Sequence, residues 1–451
     1  MDVRRLSVTG IMLALAPLAA AFSTGPPIMR TGNQADGGID CTACHRTFAP
    51  ANSDPRGRVF IQTVADYRPG VKQTIKIRIE HPEQSRWGFQ LTARLASNPA
   101  AKAGTFTAAT GIRVQCAGGA PEGNCGANLE FASHNATFVQ AQAGFGEYEV
   151  EWTPPAAGSG EVVFYFAGNA ANFGAGSQGD YIYTGSTRIG EEGGCQLTAR
   201  PTITTLRNAA SGEPGPVSYN SLVTLVGTGF QAPGRVSDAL EYLNGRTFVN
   251  KLGCIAVEID GTRSPITYAQ FNQINAQVPT TTRVGTVQAR VIANPGQPNE
   301  LRSDTVDITL APTSPAFFRL LPTPCIAARF SETGEITGDP SLLSFVRGAK
   351  PGDLLTLYAT GLGPTNPVWQ AGEIAGGPAR VSGLSLEWNG REMAAADILY
   401  AGLAGDAITG LQQINIRVPN SGVSFNAQNE IRIRVGGVLS PAGTTIFISP
   451  N

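Results

Sequence analysis

The sequence predicts an all-β protein built from consecutive sandwiches, and three observations carry that prediction. Gly 54 and Pro 31 stand against only 15% charged residues, the composition of a turn-rich chain. Short runs rich in Val, Ile and Thr alternate apolar with polar positions, as half-buried strands do. The second half of the chain then repeats itself at the scale of a whole module. At 451 residues the chain exceeds a single core and suits three domains. Lys+Arg 33 against Asp+Glu 34 leaves a net charge of -1, with no basic block to follow a phosphate backbone, so nucleic acid is not an expected partner.

Residues 1–21 read as an export signal: Arg4 and Arg5, an apolar stretch from Leu6 to Leu18, then Ala19, Ala20 and Ala21, with cleavage expected after Ala21. The apolar run is interrupted by Pro17 and falls short of the roughly 20 residues that span a bilayer. No later segment is apolar enough to span, so the mature protein is expected to be secreted, periplasmic or held at the cell surface. Residues 22–56 form an irregular arm rich in Gly and Pro.

From residue 57 to 195 the pattern is that of an antiparallel sandwich. Ile75, Ile77 and Ile79 alternate with Lys76, Arg78 and Glu80. Phe89, Leu91 and Ala93 repeat this, as do Tyr148, Val150 and Trp152 against Glu147, Glu149 and Glu151. The glutamates invite a paired-carboxylate or calcium reading, but alternation puts them on the solvent face of a strand. The run Val162 to Phe166 is apolar on both faces, as inside a sandwich core.

The repeat divides the remainder into modules 201–315 and 316–451. The first contains Leu222-Val-Thr-Leu-Val-Gly-Thr-Gly229 and Gln273-Ile-Asn-Ala-Gln-Val-Pro279; the second contains Leu354-Leu-Thr-Leu-Tyr-Ala-Thr-Gly361 and Gln413-Ile-Asn-Ile-Arg-Val-Pro419. Each copy is near the size of an immunoglobulin-like sandwich.

Within the arm, Cys41-Thr-Ala-Cys44-His45 has the spacing by which two thiols form thioethers with the vinyl groups of one haem c, while the adjacent histidine meets the iron. Export supplies the compartment in which such attachment occurs. The competing readings are a Cys41–Cys44 disulfide and a thioredoxin-type thiol pair, but no βαβ pattern surrounds the motif. A zinc site lacks a second Cys or His pair at ligand spacing.

For the sixth iron position the candidates are His81, His134 and Met29. His81 ends a strand just before Pro82 and reads as a solvated histidine; His134 lies between a Cys116 to Cys125 loop and the next strand. Spacing alone does not choose between them. Beyond the motif five cysteines remain. Cys116 with Cys125 is the expected bridge, Cys254 with Cys325 a second pairing across the first module, and Cys195 is left over. Asn135-Ala-Thr137 matches a glycosylation sequon, read here as coincidence.

Residues from about 26 to 185 resemble the bacterial reeler-like (choice-of-anchor) family whose members begin with a Cys-x-x-Cys-His segment and continue as a β-sandwich. The resemblance rests on Pro26-Pro27, Arg30-Thr-Gly32, Tyr67-Arg-Pro-Gly70, Gly88-Phe-Gln-Leu91 and Trp152-Thr-Pro-Pro155. Its most specific stretch is Gly160-Glu-Val-Val-Phe-Tyr-Phe-Ala-Gly-Asn169 followed by Gly179-Asp180. The resemblance implies that His134, a little before the tryptophan strand, is the distal iron ligand ahead of His81. The Cys116 to Cys125 insertion departs from the family pattern. Residues from about 201 to 451 resemble the paired modules known as the Solibacter-type C-terminal domain, through Asn208-Ala-Ala-Ser211, Ala359-Thr-Gly-Leu-Gly-Pro364 and the two Gln-Ile-Asn segments. That resemblance implies paired modules and a secreted setting, with no reaction attached; together the two resemblances give three consecutive reeler-like and immunoglobulin-like sandwiches.

The expected function is an exported monohaem c-type cytochrome: an electron carrier rather than a catalyst, with His/His-ligated haem and a redox partner protein yet to be named. Two alternatives follow from the same residues. One is a secreted adhesion protein whose β-modules bind cell-surface or matrix components. The other is a haem sensor or peroxidase with an open iron site.

Overall fold

Period-two patterning becomes sheet throughout the computed structural model, which describes residues 25–449 except 65, 136–140, 173 and 175. Regular structure is nearly all β, with only short 3-10 turns as helices among the described residues. The export signal and Thr137 of the sequon lie outside them.

The first sandwich comprises β1 (Arg58–Gln62), β2 (Asp66–Tyr67), β3 (Gln73–His81), β4 (Arg86–Leu95), β5 (Asn98–Lys102), β6 (Thr105–Thr107), β7 (Ile112–Cys116), β8 (Glu130–His134), β9 (Gly144–Thr153), β10 (Val162–Ala171) and β11 (Tyr181–Glu191). One sheet runs β1-β3-β9-β6; the other runs β2-β11-β10-β4-β8-β7, with β5 on β4. Ile75, Ile77 and Ile79 turn inward with no exposure, beside Val150 and Trp152 of their own sheet and in one core with Trp87, Phe89, Leu91 and Phe164 of the other. On the opposite face of the smaller sheet, Glu147 and Glu149 stand beside Arg78 and Lys76 in register, with ion pairs of 3.4 and 3.1 Å. Glu151 pairs with Lys72 at 2.8 Å. These carboxylates therefore neutralise a basic strand instead of converging on a shared site.

Strand β4 is buried on both sides. Its inward residues are apolar, but Gln90, Thr92 and Arg94 on the other face are at most 1% exposed. Buried polar groups need partners: Thr92 donates to the Glu130 carbonyl of β8 at 2.8 Å, while Gln90 and Arg94 also find partners in the N-terminal arm, as described below.

Among the described residues, apolar side chains form three large cores, drawn from Ile61 to Ile189, Leu206 to Leu310 and Phe317 to Ile448, and a small fourth cluster of Ala375, Ala379 and Leu403; Ile408 of the last segment packs into the second core. The repeated segments carry equivalent pairings. Leu225 lies opposite Ile274 in one copy and Leu357 opposite Ile414 in the other, all four fully buried. The strand-ending glycines take left-handed backbone, φ 74° at Gly229 and 78° at Gly361. At Gly361 an added Cβ would meet the Ser314 carbonyl oxygen at 2.0 Å, so only glycine fits.

Cys116 and Cys125 are bonded. Cys254 pairs with Cys195, not with Cys325, which corrects the expectation from spacing. The linker folds back onto the first module, where the Asn294 amide holds the backbone of Leu197 and the thiol partner of Cys254 is brought to it. Cys325 is instead a free, buried thiol against Gln428 of the third core. The domains also dock directly. The Gly245 N–H donates to the Ile61 carbonyl at 2.9 Å, the Tyr242 hydroxyl to Glu161 at 2.8 Å, and Arg58 pairs with Asp406 at 3.2 Å.

Candidate functional site: the Cys-x-x-Cys-His turn and its docking face

The arm lies across the outer face of the larger sheet of the first sandwich. Gln90 accepts from the Arg30 N–H at 2.6 Å and donates to the Pro27 carbonyl at 2.8 Å. Farther along β4, Arg94 meets Asp36 at 2.7 Å. The arm doubles back between Thr31 and Asp40, where the Gly32 N–H donates to the Ile39 carbonyl at 2.9 Å. This return delivers the motif to the end of the sheet formed by β10 and β11.

There Cys41–Ala43 makes a single 3-10 turn. The Asp40 carboxylate caps it, accepting from the Thr42 N–H at 2.7 Å and from its hydroxyl at 2.5 Å. The N–H groups of Cys44 and His45 both donate to the Cys41 carbonyl, at 3.2 and 3.0 Å. One turn thus carries both sulfurs and the imidazole. Cys41 and Cys44 are not bonded to each other. Cys41 turns its thiol toward the Arg30 carbonyl at 3.7 Å, and burial, aided by Asp40, pushes its pKa up to about 12. Redox-active thiols are depressed, not raised, so this environment disfavours a thioredoxin-type role.

His45 is oriented from far away in sequence. Its Nδ1 lies 2.6 Å from Oδ2 of Asp180, a residue 3% exposed just before β11. The Asn169 amide of β10 stands 3.4 Å from the same nitrogen. The loop bearing the acid is fastened to the motif's C-terminal flank. Thr47 Oγ1 donates to the Gln178 side chain at 3.0 Å and accepts from the Gly179 N–H at 3.1 Å. Asp180 and Asn169 stand in the sequence only as motif residues; nothing in their spacing signals contact with His45.

His134, 8% exposed at the end of β8, lies at the same end of the sheet. Asn169, which touches His45, is paired with Gly88 across β10 and β4. A Cβ at Gly88 would stand 2.6 Å from His134 Cε1 and 3.0 Å from Nε2. The paired residues Asn169 and Gly88 thus separate the two histidines. The hydrogen bonding of the rings differs in kind. His134 Nδ1 accepts from the Phe89 N–H at 3.0 Å, which leaves the proton of the neutral ring on Nε2. Burial lowers its pKa to about 4, so the ring is neutral.

His81 departs from the solvated reading. It has no exposure and stacks on Tyr181 at 4.4 Å, which stacks in turn on Phe48 at 4.1 Å. Its Nδ1 accepts from the Glu83 N–H at 3.1 Å and its Nε2 lies 3.3 Å from Asp54. Both ring nitrogens are engaged, because the turn after β3 and the Asp54 loop fold over a strand end that sequence leaves open. Met29 holds a left-handed backbone, φ 61°, with its carbonyl accepting from Arg30 Nη1 at 3.0 Å.

No group of three or more His, Cys, Asp and Glu side chains is placed to hold a metal ion among the described residues. The donor set that does assemble, two thiols and one oriented imidazole on a single turn, fits a porphyrin, which brings four nitrogens of its own and asks the protein for one or two axial ligands. Of the described residues, no helix is long and apolar enough to cross a membrane. No family model and no curated protein matches the chain. Among solved structures, the human F-spondin reeler domain is similar to part of it, at 19% identity and a TM-score of 0.22, covering 30% of this chain and 88% of that one.

Proposed function

We propose that the chain is an exported monohaem c-type cytochrome that exchanges single electrons with a partner protein at or outside the cell envelope. The observation that carries this reading is the geometry at His45. A ligating histidine donates its other ring N–H to a carboxylate or carbonyl, and the Nδ1 contact with buried Asp180 leaves Nε2 as the nitrogen free to bind iron. Cys41 and Cys44, on the same turn and unbonded, are the thioether donors. A haem bound there supplies a ferric–ferrous couple. The polypeptide's part is to fix the imidazole through Asp180 and to bring His134 to the same sheet end. Two disulfides elsewhere in the chain support an oxidising compartment.

His134 is the proposed distal ligand. Coordination through Nε2 requires its proton to move to Nδ1, where the Phe89 carbonyl, 3.3 Å away, can accept it. That requirement favours a second reading, an iron with an open sixth position suited to ligand sensing or peroxide chemistry. The test is expression in a host that matures c-type cytochromes, followed by mass spectrometry and a visible spectrum of wild type and His134→Ala. Added porphyrin mass and a low-spin spectrum that turns high-spin in the variant are expected. A high-spin wild type supports the open site. A polypeptide without added mass, with Cys41 bonded to Cys44, overturns the cytochrome reading and leaves adhesion by the β-modules as the alternative.

A further inference from the structure

We propose that Asp180 is the positioning residue of this site: it fixes which nitrogen His45 presents and makes that imidazole a strongly electron-donating ligand, biasing bound iron toward the ferric state. The inference rests on the reading of Cys41, Cys44 and His45 as the place of haem attachment.

The contact is short and sheltered. Oδ2 of Asp180 lies 2.6 Å from His45 Nδ1, and the two side chains are 3% and 16% exposed. A carboxylate at that distance accepts the Nδ1 proton, and drawing the proton toward the acid raises electron density at Nε2. An anionic-leaning donor stabilises the more highly charged iron more, and low exposure keeps water from screening the difference. The acid is also held in place. Thr47, two residues beyond His45, bonds both Gln178 and Gly179, so the loop and the motif move as one. Asn169 flanks the pair from β10, its Nδ2 3.4 Å from the same nitrogen and its Oδ1 buried and unpartnered; a protonated Nδ1 gives that amide nothing to bond, so Asp180 is the group that takes the Nδ1 proton. His134 supplies the contrast within the same molecule, since its Nδ1 accepts a hydrogen bond from the Phe89 backbone N–H where His45 Nδ1 faces a carboxylate.

The test uses the full chain, with and without haem, as wild type, Asp180→Asn and Asp180→Ala. In haem-free protein, 15N spectra of the His45 ring should show the Nδ1–H tautomer in wild type and a mixture in both variants. In matured protein, haem mass should persist in all three, because the thioethers do not involve Asp180. A mediated redox titration should shift the oxidised-to-reduced ratio about tenfold toward reduced iron in Asp180→Asn, equivalent to about 59 mV for a one-electron couple. Asp180→Asn keeps the shape of the side chain and guards against loss of fold. An unchanged tautomer together with an unchanged potential overturns the proposal. Wild type lacking haem mass instead overturns the cytochrome reading and the claim on the iron, while the tautomer measurement still judges the contact itself.

Discussion

Replacing Asp36 by Ala should release the N-terminal arm from the sheet that carries it. The Arg94 and Asp36 side chains are 1% and 5% exposed and meet at 2.7 Å. The other bonds of the Arg94 guanidinium go to Thr92 at 3.0 Å and the Pro99 carbonyl at 3.2 Å, both within its own sheet. Asp36 is therefore the arm's charged anchor. Removing one member of a buried pair leaves the other uncompensated and costs about 3–5 kcal/mol. At about 1.4 kcal/mol per tenfold, that weakens docking by roughly two to three and a half powers of ten. The Gln90 bonds to Arg30 and Pro27 contribute about 1 kcal/mol each and cannot make up the loss. Limited trypsin digestion reads this at Arg30 and Arg46, and hydrogen exchange reads it at the Gly32 amide, with faster cleavage and exchange expected in Asp36→Ala. The double variant Asp36→Ala/Arg94→Met should recover much of the protection, because it removes the stranded charge. If the arm of Asp36→Ala were cut no faster than wild type while the global unfolding midpoint fell, the pair would be a core element and the docking argument would be wrong.

In haem-free protein at pH 8, iodoacetamide should label Cys41 about a thousandfold more slowly than a thiol at the ordinary value of 9.0, because its pKa is raised to about 12; rapid labelling refutes the buried environment. His134, held near 4 against 6.5 unfolded, leaves the unfolded state binding the extra proton. Stability of the haem-free chain should therefore be full above pH 6.5 and fall by about 3 kcal/mol as pH drops toward 4; urea midpoints of wild type minus His134→Gln isolate that slope, and a flat difference contradicts it. Breaking the Cys195–Cys254 bridge, which spans 59 residues, should cost about 4 kcal/mol by loop entropy, read as a lowered urea midpoint for Cys195→Ser/Cys254→Ser. Gly88→Ala should cost about 1–3 kcal/mol, since its Cβ would stand 2.6 Å from the His134 ring; an unchanged Tm would mean the ring is free to move.

The strands were legible because period-two patterning is a local property. Ile75, Ile77 and Ile79, and Tyr148, Val150 and Trp152, each point inward as their alternation requires. The module repeat was legible for the same reason, since Leu225–Ile274 and Leu357–Ile414 occupy equal places in two copies of one pattern. What alternation cannot report is the second face of β4. The pattern of Phe89, Leu91 and Ala93 says nothing of what covers Gln90, Thr92 and Arg94, and the arm, bonded to Gln90 and Arg94, helps to make that face interior. His81 was misread in the same way, as a strand-end histidine whose cover comes from Asp54 and Tyr181. Cys195 and Cys254 escaped because five cysteines admit many pairings and spacing carries no direction.

The candidate site divides along that line. Cys41, Cys44 and His45 can be read from five consecutive residues because one helical turn enforces their proximity. The group that gives His45 its polarity lies 135 residues away and arrives only through the β10–β11 hairpin. The chemistry of attachment is thus written locally, while the orientation of the imidazole depends on the sandwich being closed and the arm being docked. It follows that perturbations of Asp36 or Arg94, remote from the motif, should reach His45 by loosening the arm that carries it, and that the 15N tautomer signature of His45 should degrade in Asp36→Ala even with Asp180 intact. A His45 signature indifferent to arm release would mean that the Thr47 clamp on Gln178 and Gly179 suffices by itself to hold the motif against Asp180.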